Sequence, residues 1–309
     1  MSRPRPAWTP PMRDGVGASR VAVTPGPWRT LAEFLAARLP AVADWPARLA
    51  RGDVLDAAGR PLAADTPCRP GALLWYWRSL PPEPRIPFDE ALLHADEQLV
   101  AVDKPHFLPV TPGGRYLQET LLVRLKRRLG LDSLAPMHRL DRETAGVVLF
   151  TVRPDSRHAY QSLLRERRVH KVYEAVAPWR DDLALPLLRR SRLQERPGDA
   201  FMQMAEVPGE PNAETRIELI ARCGAGLAHY RLTPLTGRKH QLRAQMSGLG
   251  LPIVGDRIYP RLWPPEPPEA PTRFDQALQL LAREIAFTDP LSGALRRFVS
   301  QRRLEATGA

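Results

Sequence analysis

The segment with the most chemical content is His138-Arg-Leu-Asp-Arg-Glu-Thr-Ala-Gly146, which runs into the apolar stretch Val147-Val-Leu-Phe150. It sets the carboxylate of Asp141 between the guanidinium groups of Arg139 and Arg142, at the mouth of a buried strand. Such surroundings keep a carboxylate ionised and hold it in one orientation. An ionised, fixed carboxylate can serve as a nucleophile. On spacing alone, a turn cap paired to Arg139 or Arg142 is the commoner fate of such an aspartate. There is no Walker-A loop, no dinucleotide-type glycine fingerprint and no His/Cys/Asp cluster at metal-ligand spacing. Gly113-Gly114 reads as a turn, and the expected cofactor content is none.

A nucleophile needs elements that position it. Strands are predicted at Leu99–Val102, Val147–Val152, Val169–Val176, Thr215–Ile220, Ala228–Leu232 and Ile285–Phe287, and helices at Thr120–Leu129, Asp155–Arg167 and Lys239–Ser247. Short turns between neighbouring strands, as from Ile217 to Tyr230, point to antiparallel pairing with flanking helices, an α+β fold with a mixed, largely antiparallel sheet.

Ahead of it, Thr30-Leu-Ala-Glu33 is a capping-box signature, followed by a helical face of Leu31, Phe34, Leu35 and Leu39. A second short helix near Pro46–Ala50, turn-rich residues and the run Leu73–Trp77 complete a small α/β module. Trp75, Tyr76 and Trp77 could stack on bases but are better placed as core. The predicted organisation is a flexible Arg/Pro-rich arm at 1–28, the module at 29–80, a proline linker at 81–87 and the main domain at 88–303. A second proline-rich stretch, 260–271, reads as a surface loop.

The 309 residues carry 45 Lys and Arg against 34 Asp and Glu, a formal charge of +11. That surplus argues for a polyanionic partner, although only four of the basic residues are lysines, a skew that genomic base composition can also produce. The basic runs Arg124, Lys126, Arg127, Arg128 and Arg165, Arg167, Arg168, Lys171 flank the motif segments, which favours contact with a phosphate backbone. Two cysteines, Cys68 and Cys223, exclude a disulfide framework. Without a secretory signal or a run of about 18 apolar residues, the chain reads as cytoplasmic, with no membrane partner.

His138-Arg139-Leu140-Asp141-Arg142 with Thr144 and Gly146 resembles the signature of the RluA-type pseudouridine synthases. Lys171-Val-Tyr-Glu-Ala175 resembles that family's lysine-x-tyrosine-x-alanine strand. Thr236-Gly-Arg-Lys-His-Gln-Leu-Arg243, continuing to Gly250, Pro252-Ile-Val-Gly-Asp256 and Tyr259, is similar to its long C-terminal motif. Val102-Asp-Lys-Pro105 is a looser match. The departures are Phe107, Ala145, Gln245 and Leu251, where a glycine, a serine and two histidines are usual.

The resemblance implies the pseudouridine synthase fold, behind a module that resembles an αL-type RNA-binding unit. It implies an isomerase that converts uridine in structured rRNA or tRNA to pseudouridine, with no cofactor or nucleotide, and a monomer is expected. Asp141 then corresponds to the aspartate that breaks the bond between ribose and uracil nitrogen, whether by attack on the anomeric carbon, by assisting glycal formation or by attack on the ring. Tyr173 corresponds to the aromatic that packs on the flipped base and helps remove the proton from the new carbon link. Arg238 corresponds to the arginine paired with the catalytic carboxylate. Arg139 corresponds to the side chain that fills the space the base vacates, or else pairs with Asp141 or Glu143. Arg142, Lys171, Lys239, Arg243, Arg127 and Arg128 are the further expected RNA contacts. A non-enzymatic RNA-binding factor would not need Asp141, Tyr173 and Arg238. A metal-dependent nuclease would need acids, not arginines, around Asp141.

Overall fold

The computed structural model describes residues 8–305 except 41, 43, 79–82, 115, 197–202 and 265–272. In chain order the elements are β1 (Ser19–Ala22), α1 (Leu31–Arg38), α2 (Trp45–Ala50), β2 (Val54–Leu55), β3 (Leu73–Tyr76), β4 (Ala91–Ala95), β5 (Leu99–Lys104) and α3 (Leu121–Leu129). There follow β6 (Ala135–Pro136), β7 (Ala145–Thr151), α4 (Arg157–Arg165), β8 (Val169–Pro178), β9 (Leu187–Glu195) and β10 (Met204–Val207). The last are β11 (Ala213–Cys223), β12 (Leu227–Pro234), α5 (Gln241–Gly248), β13 (Leu280–Thr288) and β14 (Leu295–Val299).

The chain divides into two compact units, residues 1–84 with 112–132, and residues 85–111 with 133–309. In the first, the sheet order is β1-β3-β2. The Thr30 hydroxyl accepts from the Glu33 amide at the start of α1, and Glu33 in turn accepts from the Arg29 amide. That is a capping box displaced by one residue. Leu31, Phe34 and Leu35 pack with Trp45, Leu49, Leu74 and Tyr76 as the core of this unit.

Two expectations change here. The proline content of residues 1–28 predicts an arm, yet residues 19–22 form β1, paired antiparallel with β3 from Ser19↔Tyr76 to Ala22↔Leu73. The edge of β3 supplies backbone partners that the composition of the arm does not reveal. The predicted helix at 120–129 exists as α3 but belongs to this unit, where Lys126 Nζ meets Met12 Sδ and Arg127 Nε donates to the Asp14 carbonyl. Of the linker at 81–87, residues 81 and 82 lie outside the described residues. Glu83 is fixed, its carboxylate accepting from the backbone amides of Leu117, Gln118 and Glu119. Most of the loop expected at 260–271 also falls outside the described residues.

The second unit is built on one large sheet, ordered β10-β9-β11-β12-β8-β13-β7-β5-β4, with β14 added to β13 and β6 to β7. Every ladder is antiparallel except β13–β7. β5 and β7 are buried along their whole lengths, through the apolar runs Leu99–Val102 and Val147–Phe150 and also at the polar ends Asp103, Lys104 and Thr151. The helix α5 packs Leu242 and Met246 against Ala175, Tyr230 and Leu232 of β8 and β12. The helix α4 packs Tyr160 and Leu163 against Leu149, Ile285 and Phe287. Strand β9 escapes a reading by apolar alternation because its exposed face is arginine-rich. Arg189 and Arg190 on it pair across strands with Glu206 and Glu214.

The parallel junction of β7 and β13 is where the fold meets the motif. Gly146 has φ +112° and lies so close to β13 that a Cβ would overlap the Ala282 carbonyl. Only glycine accepts both the backbone angle and the contact. Gly146→Ala is therefore expected to cost about 3 kcal/mol or more, read as a lower urea midpoint with an unchanged slope. An unchanged midpoint would mean that the two strands separate freely here.

Candidate active site

Asp141 sits on the loop between β6 and β7, four residues before β7 begins. Several backbone groups of that loop are held by specific partners. The Met137 amide donates to the Leu149 carbonyl, and the Leu149 amide donates to His138 Nε2, which zips the loop to β7. That imidazole is neutral, because burial, with Lys171 nearby, pulls its pKa down to about 3. The Asp141 carbonyl accepts from the Thr144 amide. The Arg142 carbonyl accepts from Lys104 Nζ at 3.0 Å, and the Glu143 carbonyl from His106 Nδ1 at 2.6 Å.

Lys104 is fully buried and also donates to the carbonyls of Pro105 and Leu108. Burial pulls its ammonium down to about 7, opposed by Glu143 and Asp141. Three carbonyl acceptors can all be satisfied only by the charged form.

The Asp141 side chain faces a cavity of about 1070 Å³. Its Oδ2 accepts from Arg243 Nη1 at 2.9 Å. Arg243 is 2 % exposed and donates its other two nitrogens to both oxygens of Asp256, at 2.8 and 2.7 Å. Burial works against the Arg243 charge, but the Asp256 and Asp141 carboxylates outweigh it and hold the guanidinium pKa above its usual value. Asp256 is itself nearly inaccessible and accepts from the Ile258 and Tyr259 amides. On the other side of Asp141, His240 Nε2 lies 3.7 Å from Oδ1.

This geometry corrects two expectations. The partner of Asp141 is Arg243 and not Arg238, whose Nε donates to the Asn212 carbonyl at 3.1 Å on the surface. Arg238 lies three residues before α5 begins, whereas Arg243 lies on the first turn of that helix, with its side chain turned inward. Arg243, expected on the RNA, is instead 2 % exposed and spends three of its five N–H groups on two carboxylates, so its first task is to hold Asp141.

The remaining expected residues divide by location. Tyr173, on β8 between Leu232 and Ala282, lines the cavity, and its hydroxyl makes no hydrogen bond among the described residues. Burial, with Asp141 adding to it, pushes the Tyr173 hydroxyl above the ordinary phenol range. Arg139 lines the cavity, is exposed, and has no ion pair among the described residues, so it pairs with neither Asp141 nor Glu143. Arg142 also lines the cavity but pairs with Glu143 at 2.7 Å. Lys171 is half-buried there, and burial lowers its ammonium pKa. Lys239 pairs on the surface with Glu195 at 3.1 Å. Arg165, Arg167 and Arg168 also border the cavity. Arg127 and Arg128 belong to the other unit.

Sequence reasoning assigned no role to Asp256, Lys104 or His106, and read His240 only as a structural residue of its helix. Lys104, His240 and Asp256 stand inside the quoted motifs, but nothing in their spacing reveals partners as far off as 102 residues, the separation of Arg243 from Asp141. Among the described residues no group of three or more His, Cys, Asp or Glu could hold a metal ion. No helix among them is long and apolar enough to cross a membrane.

Residues 98–248 match the family model described as RNA pseudouridylate synthase. The chain is 33 % identical over 218 residues to an uncharacterised RNA pseudouridine synthase of Synechocystis, covering 70 % of this chain and 73 % of that protein. It is 32 % identical to the dual-specificity RNA pseudouridine synthase RluA of Pasteurella multocida, covering 65 % and 88 %. Human RNA pseudouridylate synthase domain containing 4 superposes with a TM-score of 0.51 at 28 % identity, over 69 % of this chain and 88 % of that one. The human domain containing 1 shares the fold, with a TM-score of 0.56 at 21 % identity over 71 % and 86 %. The motifs around Asp141, Tyr173 and Arg243 therefore line one cavity in a fold shared with such enzymes, and the chain belongs to the RluA-type family of RNA pseudouridine synthases, isomerases that convert uridine to pseudouridine in RNA.

Proposed function

We propose that Asp141 is the nucleophile with which this enzyme isomerises specific uridines in structured ribosomal or transfer RNA, acting as a cytoplasmic monomer. The observation that carries the reading is the Asp141 carboxylate itself. It is held through one oxygen by a buried arginine and faces a cavity bordered by basic side chains. Substrate and product have the same composition, so the reaction needs no co-substrate. The free thiols of Cys68 and Cys223 suit a reducing compartment.

The target uridine is extruded from folded RNA at a cost of a few kcal/mol of unstacking. Arg139, exposed and unpaired among the described residues, stacks where the base was. Asp141 then promotes cleavage of the bond between N1 and the anomeric carbon, by attack on that carbon, on the ring, or through a glycal. The freed uracil turns, a bond forms from C5 to the anomeric carbon, C5 loses its proton and N1 ends protonated. Tyr173 is protonated at neutral pH, because burial and the nearby carboxylate both disfavour phenolate. It can accept the C5 proton only by passing its own hydrogen on, and Asp141, again a carboxylate after release, is the neighbouring acceptor. Arg165, Arg167, Arg168 and Lys171 contact the RNA backbone.

Comparing pseudouridine maps of ribosomal and transfer RNA from a deletion strain and its parent tests the substrate assignment. Missing sites in either fraction support it, and identical maps in both reject it.

Asp141→Asn is expected to lower turnover by roughly 10³-fold or more while RNA affinity stays within a few-fold, measured by single-turnover assay and filter binding. Near-normal turnover would remove Asp141 from the chemistry. Tyr173→Phe keeps the ring and loses the relay, with an expected fall on the order of 10² to 10⁴-fold and an unchanged melting temperature. Wild-type rate in this variant would leave Tyr173 a packing residue. For the rim, Arg165→Gln combined with Arg167→Asn should flatten the log–log dependence of affinity on salt by roughly one to two units. Asparagine is chosen because Arg167 has φ +57°. An unaltered slope would place that turn away from the RNA.

A further inference from the structure

We infer that His240 is a positioning residue for Asp141, presenting an N–H to the carboxylate oxygen that Arg243 leaves free, in a tautomer dictated by Tyr259. The inference deepens the reading of Asp141 as nucleophile and rests on it.

The geometry starts at Tyr259. Its hydroxyl oxygen accepts from the Met204 amide at 2.6 Å and lies 3.3 Å from His240 Nδ1. Burial pushes the Tyr259 hydroxyl up to about 12, so it carries its hydrogen at neutral pH. With one lone pair taken by the Met204 amide, the hydroxyl hydrogen is free to donate to Nδ1. Burial also lowers the His240 pKa, despite the opposing pull of Asp141, so the ring is neutral and one nitrogen must accept. If Nδ1 accepts, the ring hydrogen is on Nε2, the nitrogen 3.7 Å from Asp141 Oδ1. The other tautomer would deprive the Tyr259 hydrogen of its acceptor and aim a lone pair at a carboxylate.

The ring has little freedom to turn away. Its side chain is 9 % exposed, and it packs edge-on against the Tyr259 ring with centroids 5.8 Å apart. The backbone is equally committed, with φ +51° at the residue that opens α5. A non-glycine side chain in that conformation is uncommon, and here it directs the imidazole to the carboxylate.

What this supplies is a second point of restraint. Arg243 holds Oδ2 alone, which leaves the carboxylate plane free to pivot about that contact. An N–H dipole on the Oδ1 side fixes the plane. At 3.7 Å it is too long to be a hydrogen bond, so Oδ1 keeps its lone pairs for the reaction. Contacts of this kind commonly tighten once substrate is bound.

The test uses two substitutions whose backbone and side-chain preferences oppose each other. Asparagine tolerates positive φ well but is one methylene too short to reach Oδ1. Glutamine is the poorer residue for that backbone, yet its amide nitrogen falls near the position of Nε2. His240→Asn is expected to lower the single-turnover rate by roughly 10²-fold, with RNA affinity within two-fold of wild type. His240→Gln should recover most of that rate. Asparagine equal to or better than glutamine would overturn the inference and leave His240 a backbone residue only. Should either variant lose its melting transition, nitrogen-15 NMR of the wild-type imidazole decides independently, with a proton on Nε2 supporting the inference and one on Nδ1 overturning it. Asp141→Asn is run beside them. Normal turnover there would refute Asp141 as nucleophile, whereas an inactive Asp141→Asn with a fully active His240→Asn would refute only the role of His240.

Discussion

The site depends on one buried charge. Arg243 is a guanidinium almost wholly removed from water, and such a group is tolerable only with carboxylates on its donors. Asp256, nearly inaccessible itself, takes two of its nitrogens, and Asp141, partly open to the cavity, takes the third. Asp256 is in turn anchored by the amides of Ile258 and Tyr259. The ion cluster therefore spans the loop before β7, the helix α5 and the segment after it. Breaking such a pair by removing one partner typically costs about 3–5 kcal/mol, while replacing the whole cluster by apolar residues is often neutral. Stability alone does not call for it. Its use is to aim one carboxylate oxygen while leaving the other unbonded.

Aiming also requires that the loop carrying Asp141 stay rigid without regular secondary structure. The structure accomplishes this with side chains that bind backbone. Lys104 takes the Arg142 carbonyl, His106 takes the Glu143 carbonyl and His138 takes the Leu149 amide. Burial keeps both histidines neutral, so each ring can offer one donor and one acceptor. Behind the loop, Gly146 lets β7 approach β13 closely, which closes the sheet beneath the cavity.

The departures from the family pattern are absorbed by packing. Phe107, where glycine is usual, does adopt φ +66°, the conformation glycine would take readily, and its ring lies against Phe88 and Phe274 at 5.9 and 5.4 Å. Aromatic contacts of this kind offset the backbone strain. Gln245 is fully buried and places its amide between the Thr215 and Ser191 hydroxyls. Leu251 joins the core beside α5, and Ala145 is sealed within β7. None of the four touches Asp141 through a hydrogen bond or ion pair.

Local pattern sufficed for much of this protein. The apolar runs of β5 and β7, the amphipathic period of α4 and the capping box of α1 are legible because burial and hydrogen bonding over a few residues dictate them. The residue types around Asp141 were legible as possible chemistry because they form one short arrangement of side chains, whereas the tyrosine of β8 was singled out only by the family resemblance. Long-range pairing was not legible. Strand β1 in a proline-rich stretch, the arginine-faced β9 and the assignment of α3 to the N-terminal unit all depend on partners distant in sequence. The choice between Arg238 and Arg243 shows the limit most clearly. Both stand in one motif, five residues apart, and both are chemically able to hold a carboxylate. Only the start and phase of α5 turn one to solvent and the other into the core, and only the fold brings Asp256, Asp141 and His240 around it.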